Sequence, residues 1–158
     1  MTNKVGIVGS EAKKFTPETE AEARREIRRL IEGADLVISG HSPLGGIDWW
    51  AIEEAKRAGI PTQEYPAGVH TWESVKGVDG FKARNLKIAR NSDKVACIVV
   101  KTLPPSYKGM EFPNGCYHHT PPAHDHIKSG GCWTMKQAAI AGKTTELVIV
   151  GRDKANDV

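Results

Sequence analysis

Cysteine and histidine residues are concentrated in one short segment of the chain. Residues 116–132 contain two cysteines and four histidines: Cys116, His118, His119, His124, His126 and Cys132. Thiolate and imidazole are the ligands that Zn²⁺ prefers, and four of them complete a tetrahedral structural site. The opening Cys-x2-His spacing is typical of a zinc knuckle. We therefore predict a structural zinc site. Its favoured ligands are Cys116, His119, His126 and Cys132, and its alternates are His118 and His124.

The segment around these residues supports a metal for a second reason. Residues 102–128 carry five of the nine prolines and no helical or strand period. A connection of this length is uncommon in a compact domain, and a bound metal can order it where no core is available. Two alternatives stay open: exposed histidines of a mobile loop with Cys132 capping a helix, or a catalytic zinc with three protein ligands and an open position.

Glycine and hydroxyl residues mark four further loops, each beside a predicted strand or helix. Glycine lets backbone N–H groups approach an anion, and a helix N-terminus adds partial positive charge. Arg84 is the candidate cation, because a guanidinium can grip a phosphate with two hydrogen bonds. We predict a phosphate site at these loops. Its candidate residues are Gly9, Ser10, Ser39, Gly40, Gly45, Gly46, Asp48, Arg84, Asn85, Ser129, Gly130, Gly131 and Thr134.

These loops match neither of the two best-known nucleotide motifs. No Gly-Lys-Ser/Thr follows the glycines, so they form no Walker loop, and residues 6–9 do not complete a dinucleotide fingerprint. We therefore expect no NAD. Any one loop alone is also consistent with a simple tight turn. Glu11 is the best candidate general base if the site performs chemistry, and Asp48 is either a helix N-terminal acid or a hydroxyl-binding group.

Alternating apolar and helical patterns define the elements that must position these loops. Thr16 and Pro17 are a helix cap and a first helical residue, and Gly33 ends that helix. The spacing of apolar residues predicts the bounds of the other elements. Strands are expected at 5–9, 35–39, 60–65, 94–100 and 146–150, and further helices at 47–58, 81–92 and 131–141.

This alternation predicts an α/β chain with a Rossmann-like, doubly wound sheet. The expected sheet has about five mainly parallel strands with helices on both faces. In such sheets ligands bind beyond the carboxyl ends of the strands, which is where the glycine loops fall. We expect one domain over residues 1–158, with the Cys/His-rich insert at 102–128 and a frayed tail at 151–158.

Composition narrows the class of protein. The 158 residues are 39% hydrophobic and 26% charged with a net charge of +3, which argues against disorder and gives no strong basis for nucleic-acid binding. No apolar run is long enough to span a membrane, and no signal peptide is visible. Three cysteines suit a reducing compartment better than a disulfide framework. We expect a cytoplasmic protein without membrane contact.

The motifs together resemble the SLOG superfamily. Ser39-Gly40 with Gly45-Gly46-Ile47-Asp48 resembles the "SG…GID" segment of the DNA-processing protein A (Smf) Rossmann domain, and Arg84-Asn85 resembles its "RNR" segment. Ser129-Gly130-Gly131 with Thr134 resembles its last glycine loop and the "PGG.GT" loop of the LOG and lysine-decarboxylase-like proteins. The best overall match is to the small YspA-related group. The resemblance covers most of residues 4–150 outside the insert, and it implies a Rossmann-like fold, nucleotide-like ligands and homodimers.

Three functions follow from these observations. The favoured one is a sensor or binding protein for a nucleotide or a nucleotide derivative. The second is an enzyme resembling the LOG phosphoribohydrolases, but those carry a catalytic Glu after the loop threonine, whereas Met135-Lys136-Gln137 follow Thr134 here. The third is a single-stranded DNA binder resembling DNA-processing protein A, which the mild net charge disfavours.

Overall fold

The computed structural model describes residues 2–152. Of the tail predicted to fray, residues 153–158 lie outside the described residues. The chain alternates strands and helices from end to end. The elements are β1 (Lys4–Gly9), α1 (Pro17–Ile31), β2 (Leu36–Gly40), α2 (Ile47–Arg57), β3 (Thr62–Tyr65), α3 (Phe81–Asn91), β4 (Lys94–Val100), α4 (Gly131–Ile140) and β5 (Thr144–Val150).

The five strands form one parallel sheet in the order β3-β2-β1-β4-β5. All four neighbouring pairs are parallel, and the register of the central pair places Val8 opposite Cys97 and Gly9 opposite Ile98. The chain winds outward from β1 through β2 to β3, then crosses to β4 on the other side. The strand order therefore reverses between β1 and β4, and the carboxyl ends of these two strands open the crevice where such sheets bind ligands.

Helices cover both faces of the sheet, as the sequence predicts. On one face α1 and α2 pack against a core that includes Ile7, Ile27 and Ile98. On the other face α3 and α4 pack against a core that includes Ile88, Cys97 and Val99. Because the central strands are buried on both faces, they read in the sequence as nearly continuous apolar runs. Cys97 lies within the second core and is fully buried.

The helix starts agree with their sequence signals. Thr16 caps α1 by accepting a hydrogen bond from the Thr19 backbone N–H at 3.1 Å, and Pro17 takes the first helical position. The helices α2, α3 and α4 begin at Ile47, Phe81 and Gly131 as predicted. Their last residues fall one position before the predicted ends. A short 3₁₀ turn at Ala12–Lys14 was not predicted.

The insert between β4 and α4 contains no long helix or strand in the described part of the chain. One antiparallel bridge closes part of it, in which Cys116 and Ala123 exchange backbone hydrogen bonds of 2.7 and 3.1 Å. The Ile127 N–H then donates to the carbonyl of Val100 at 2.8 Å. This contact returns the insert to the end of β4, so the insert lies at the carboxyl edge of the sheet. None of the helices within residues 2–152 has the length and apolarity to cross a membrane.

Candidate functional site

A cavity of about 1060 Å³ lies at the carboxyl edge of the sheet. Its walls come from the turn after β1, the start of α3, the loop that opens α4 and the insert. Most of the residues predicted to form a phosphate site line it. They are Gly9, Ser10, Asp48, Arg84, Asn85, Ser129, Gly130, Gly131 and Thr134. In three of the four predicted loops, every residue predicted to bind phosphate lines this cavity. In the fourth loop, at residues 39–48, only Asp48 of the predicted residues does so.

The remaining predicted ligand residues lie behind the cavity and support its walls. Ser39 donates a hydrogen bond to the carbonyl of Asp48 at 2.8 Å. A Cβ at Gly40 would lie 2.9 Å from the guanidinium carbon of Arg84, so glycine makes room for that side chain. Gly46 has a φ of 88° and packs against the backbone of the Ala12 turn. Gly45 likewise has a positive φ, which a tight loop accepts most readily from glycine.

The floor of the cavity is built from two glycine turns in close contact. A Cβ at Gly131 would lie 2.9 Å from both the backbone nitrogen of Gly9 and the Sγ of Cys97, so only glycine allows this approach. Gly130 differs, because no atom lies within 4 Å of a Cβ built there. The positive end of α4 thus faces the cavity. The first N–H groups of the helix already have partners within the turn: Gly131 donates to the Ser129 hydroxyl at 3.2 Å, and Cys132 donates to the Ser129 carbonyl at 3.1 Å.

Four buried polar groups on the cavity wall have no hydrogen-bond partner within the described residues. One is the Nε2 of His118, and the other three belong to largely buried residues: the hydroxyls of Ser10 and Thr134 and the Nη1 of Arg84. The exposed fractions of these residues are only 3%, 1% and 7%, respectively. Buried polar groups almost always have partners, because an unpaired donor costs free energy. A ligand rich in acceptor oxygens would satisfy all three groups at once.

Two buried groups of opposite charge, Arg84 and Asp48, lie on the same wall. Burial lowers the pKa of Arg84, and its Nε donates to the Asn85 side chain at 2.6 Å. Burial raises the pKa of Asp48 to about 6, although the nearby guanidinium opposes that rise. Asp48 also accepts a hydrogen bond from the Ser42 backbone N–H at 3.1 Å. The carboxylate therefore holds the loop before α2 and partly balances the charge of Arg84.

Aromatic rings also line the cavity. Trp72 and Trp133 meet edge to face with their centroids 4.8 Å apart, and the Phe81 ring centroid lies 5.4 Å from the guanidinium of Arg84. From the insert, Phe112 and Tyr117 face the cavity with the ammonium group of a lysine close to both rings. These rings provide apolar surface on which a flat heterocycle can stack.

Sequence reasoning did not identify the insert as a wall of the ligand site. Its contribution includes Phe112, Tyr117 and Lys128, whose Nζ lies 4.8 and 5.4 Å from the two ring centroids. The ammonium of Lys14 donates to the Lys128 carbonyl at 2.9 Å and fixes the insert to the turn after β1. One signal was available: the insert runs directly into Ser129, so its end must reach the same edge of the sheet.

Glu11, the candidate general base, also faces the cavity. The Tyr107 hydroxyl of the insert donates to its carboxylate at 3.3 Å. A catalytic role for Glu11 stays a prediction. Two loop histidines lie outside the lining: His41 contacts Glu64, and His70 stacks on Phe81 with centroids 5.9 Å apart.

The four favoured metal ligands converge in the folded chain. The ligand atoms of Cys116, His119, His126 and Cys132 all lie within 4.8 Å of one another. The cluster is largely enclosed, with Cys116 and Cys132 fully buried and His126 only 4% exposed. The Nε2 of His126 lies 3.5 Å from the Sγ of Cys132. This group could hold a metal ion, as the spacing predicts.

The surroundings of the cluster suit a cation. The Nδ1 of His126 pairs with the Asp125 carboxylate at 2.8 Å, which leaves its Nε2 directed at the cluster. Carboxylates orient metal-binding histidines in the same way. A hydrogen bond with the Cys132 thiol and burial raise the pKa of Cys116 to about 11. The Nε2 of His119 has no partner among the described residues. A bound cation would stabilise the thiolate and use that nitrogen.

The two alternate histidines lie outside the cluster. His118 lines the ligand cavity instead, where burial lowers its pKa to about 4. His124 is exposed and lies near Gly115. The structure thus separates neighbouring histidines between two places: His119 joins the metal cluster, and His118 joins the ligand cavity.

Comparison with known proteins shows the fold but no close relative. No family model matches the sequence, and no curated protein matches it. Solved structures do match, at low identity. The molybdenum cofactor carrier protein of Chlamydomonas reinhardtii has a TM-score of 0.57 and 16% identity, over 93% of this chain and 76% of that one. The molybdenum cofactor binding protein of Rippkaea orientalis has a TM-score of 0.54 and 16% identity, over 99% and 81%.

A third match is DNA processing protein A of Streptococcus pneumoniae. Its TM-score is 0.56 at 18% identity, over 92% of this chain and 50% of that one. The chain therefore spans half the length of that protein. These likenesses confirm the Rossmann-like fold that the sequence motifs predict.

Proposed function

We propose that this protein binds a small phosphate-bearing, nucleotide-like molecule in the cavity at the carboxyl edge of its sheet. The observation that carries the proposal is the set of three buried, unpartnered groups on Ser10, Arg84 and Thr134, within the described residues, which line one cavity. They share this cavity with the glycine turn at the start of α4, where the positive end of the helix favours an anion such as phosphate.

The shape of the cavity suggests how such a ligand would lie. Its phosphate would lie among Ser10, Gly130 and Thr134, and its heterocycle would extend toward the ring pair of Trp72 and Trp133. Ligand cavities for small molecules usually measure roughly 300–1,000 Å³. At about 1060 Å³, this one has room for a nucleotide carrying a further group.

Binding is favoured over hydrolysis. The loop threonine Thr134 is followed by Met135 and Lys136 rather than by an acid. Two of the matching structures are a carrier protein and a binding protein for the molybdenum cofactor. That cofactor therefore joins nucleotides as a candidate ligand.

A thermal-shift panel tests the proposal. The panel consists of nucleoside 5′-monophosphates, ADP-ribose, UDP-glucose, the molybdenum cofactor and inorganic phosphate. At least one organic member should raise Tm, because a ligand that binds only the native state stabilises it. If no member shifts Tm at millimolar concentration, the proposal is wrong.

A substitution at Gly130 locates the site. Valine there should weaken binding of the active panel member at least tenfold, because its side chain would fill the cavity without meeting protein atoms. The residue has φ −63° and ψ −22°, which any residue adopts, so the fold should remain. Gly130→Ala is the matched control with a smaller effect. Unchanged binding in Gly130→Val would place the ligand elsewhere.

For the Cys/His cluster we propose structural zinc, bound by Cys116, His119, His126 and Cys132. The support is the closeness of two thiols and two imidazoles, a donor set that Zn²⁺ prefers, in a buried position closed to substrate. The metal would supply the order that the insert lacks from secondary structure.

Metal analysis tests the zinc proposal. Protein purified without a metal-affinity column should contain about one zinc per chain, and Cys116→Ser should contain almost none. His124→Ala is the matched control, because His124 belongs to the same insert but lies outside the cluster. Zinc-free wild-type protein, or equal zinc in Cys116→Ser, would overturn this assignment.

A further inference from the structure

The metal cluster and the ligand cavity share their structural parts. Three of the four cluster residues lie in the insert, and the fourth, Cys132, is the second residue of α4. Gly130 and Gly131 precede it directly and line the cavity. Metal ligation would therefore join the insert to the same helix start whose positive end faces the proposed phosphate site.

The insert supplies much of the cavity wall. Its lining residues are Tyr107, Gly109, Met110, Phe112, Tyr117, His118 and Lys128. Several of them are close neighbours of cluster residues in sequence. Tyr117 and His118 lie between Cys116 and His119, so the backbone that carries two metal ligands also carries two wall residues.

The other contacts that hold this wall within the described residues are concentrated at the two ends of the insert. The Cys116 and Ala123 bridge is internal to the insert, although both residues also pack on the second core. The Ile127 N–H donates to the Val100 carbonyl, and the Lys14 ammonium and the Tyr107 hydroxyl connect the insert to the turn after β1 by single hydrogen bonds. Such bonds are individually weak, with a net contribution of roughly 1 kcal/mol each. A metal bound by four residues would add a constraint that spans the insert and the start of α4.

We propose that zinc at the Cys/His cluster controls the affinity of the ligand cavity. With zinc bound, the insert closes one wall and the start of α4 is held in place. Without zinc, the wall separates from the sheet edge and the cavity loses its aromatic and basic side. This inference rests on the proposed ligand and on the proposed zinc, and it makes the protein a zinc-dependent binder.

Coupling of this kind is reciprocal. If zinc tightens ligand binding by some factor, the ligand must tighten zinc binding by the same factor. The reciprocal effect gives a second, independent measurement that needs no substitution. It also needs no zinc-free protein, so it stays informative where the metal-free chain loses structure.

The first experiment compares Kd values for the panel member that raises Tm most. Zinc-loaded wild-type protein and the His124→Ala control should bind it equally, whereas Cys116→Ser should bind at least tenfold more weakly. Circular dichroism confirms that Cys116→Ser retains its helices. Equal Kd values in zinc-loaded protein and in Cys116→Ser would overturn the coupling.

The second experiment measures the Kd of wild-type protein for zinc by equilibrium competition with a colorimetric chelator. A saturating concentration of the same panel member should lower this Kd at least tenfold, and it should leave the zinc Kd of Gly130→Val unchanged. Equal Kd values for zinc with and without the compound would overturn the coupling. Failure of zinc-loaded wild-type protein to bind any panel member would instead overturn the proposed function.

Discussion

Asp48 is a carboxylate buried in the ligand cavity beside a guanidinium. Its ordinary pKa is 3.8, and burial raises it to about 6 in the folded protein. A native state that holds a proton more tightly than the unfolded chain gains stability at low pH. The contribution is complete below pH 3.8 and is lost as the pH rises through about 6. Asp48 therefore lowers the stability of the protein at neutral pH.

A comparison of wild-type protein with Asp48→Asn tests whether Asp48 lowers the stability of the protein at neutral pH. The free energy of unfolding of the wild type, relative to the variant, should fall by up to about 3 kcal/mol between pH 4 and pH 7, because one pKa unit corresponds to about 1.4 kcal/mol. Urea denaturation at several pH values measures the difference. A difference independent of pH would show that the Asp48 carboxyl titrates at its ordinary pKa.

Residue types made much of the cavity predictable, and packing decided the rest. Ser10, Arg84 and Gly131 follow or precede strands and helices that the sequence defines, so their place at the sheet edge could be foreseen. Ser39 and Gly40 share that position in the chain but lie behind the wall, because the Arg84 side chain occupies the space beside Gly40. Sequence spacing does not show which side of a loop a neighbouring side chain will fill.

Glu54 joins two helices on one face of the sheet. It is buried in α2, and it accepts hydrogen bonds from Arg24 and Arg28 of α1 at 2.9 and 3.0 Å. Arg57 of α2 contributes a third at 3.0 Å. Burial alone would raise the pKa of Glu54, but the hydrogen bonds from the two α1 arginines outweigh it and hold the pKa below its ordinary value.

The Glu54→Gln substitution should therefore lower the free energy of unfolding at pH 7 by about 2 kcal/mol, since it removes the buried charge that accepts hydrogen bonds from Arg24 and from the two exposed arginines. A depressed pKa stabilises the protein above its ordinary value of 4.5, so the loss should shrink as the pH falls below that. Glu53→Gln is the matched control, because Glu53 is half-exposed and its pair with Arg24 should contribute under about 1 kcal/mol. Equal losses in both variants would contradict this account.

Helix starts were more predictable than helix ends, whereas strand ends were more predictable than strand starts. Thr16 and Pro17 give a chemical signal for the start of α1, and Gly46 and Gly80 precede the starts of α2 and α3. The ends depend on tertiary packing, so three helices stop one residue before their predicted ends. The Ala12–Lys14 turn leaves no periodic pattern in the sequence. It depends instead on tertiary packing, since its backbone lies against the positive-φ loop at Gly46.

The order and pairing of the strands and helices could be predicted from their alternation in the sequence. The path of the insert could not. Parallel pairing and helices on both faces could be foreseen because buried strands and crossover helices leave clear apolar patterns. The path of residues 102–128 depends on side-chain ligands and on contacts with Lys14 and Val100, which leave no period in the sequence. That the chain forms one domain, and that it forms homodimers, stay predictions.

The sheet and its helices are held by a packed core, whereas we propose that zinc holds the insert. The two parts should therefore differ in local stability when zinc is removed. Chelation of zinc should expose residues 102–128 to limited proteolysis while the sheet and its helices resist cleavage, because local openings occur where few buried contacts hold the backbone. Mass spectrometry of the fragments identifies the cleavage sites, and His124→Ala serves as the control with wild-type resistance. Cleavage spread evenly over the chain would show instead that the metal stabilises the whole fold.

The central claim is that a phosphate-bearing ligand lies at the glycine turns of the sheet edge. Amide NMR of zinc-loaded protein, titrated with the panel member that raises Tm most, tests it directly. The account predicts the largest shifts at Gly9, Ser10 and residues 129–134, with smaller shifts at the Tyr117 segment of the insert. Shifts confined to other surfaces, or the same shifts in Gly130→Val, would contradict it.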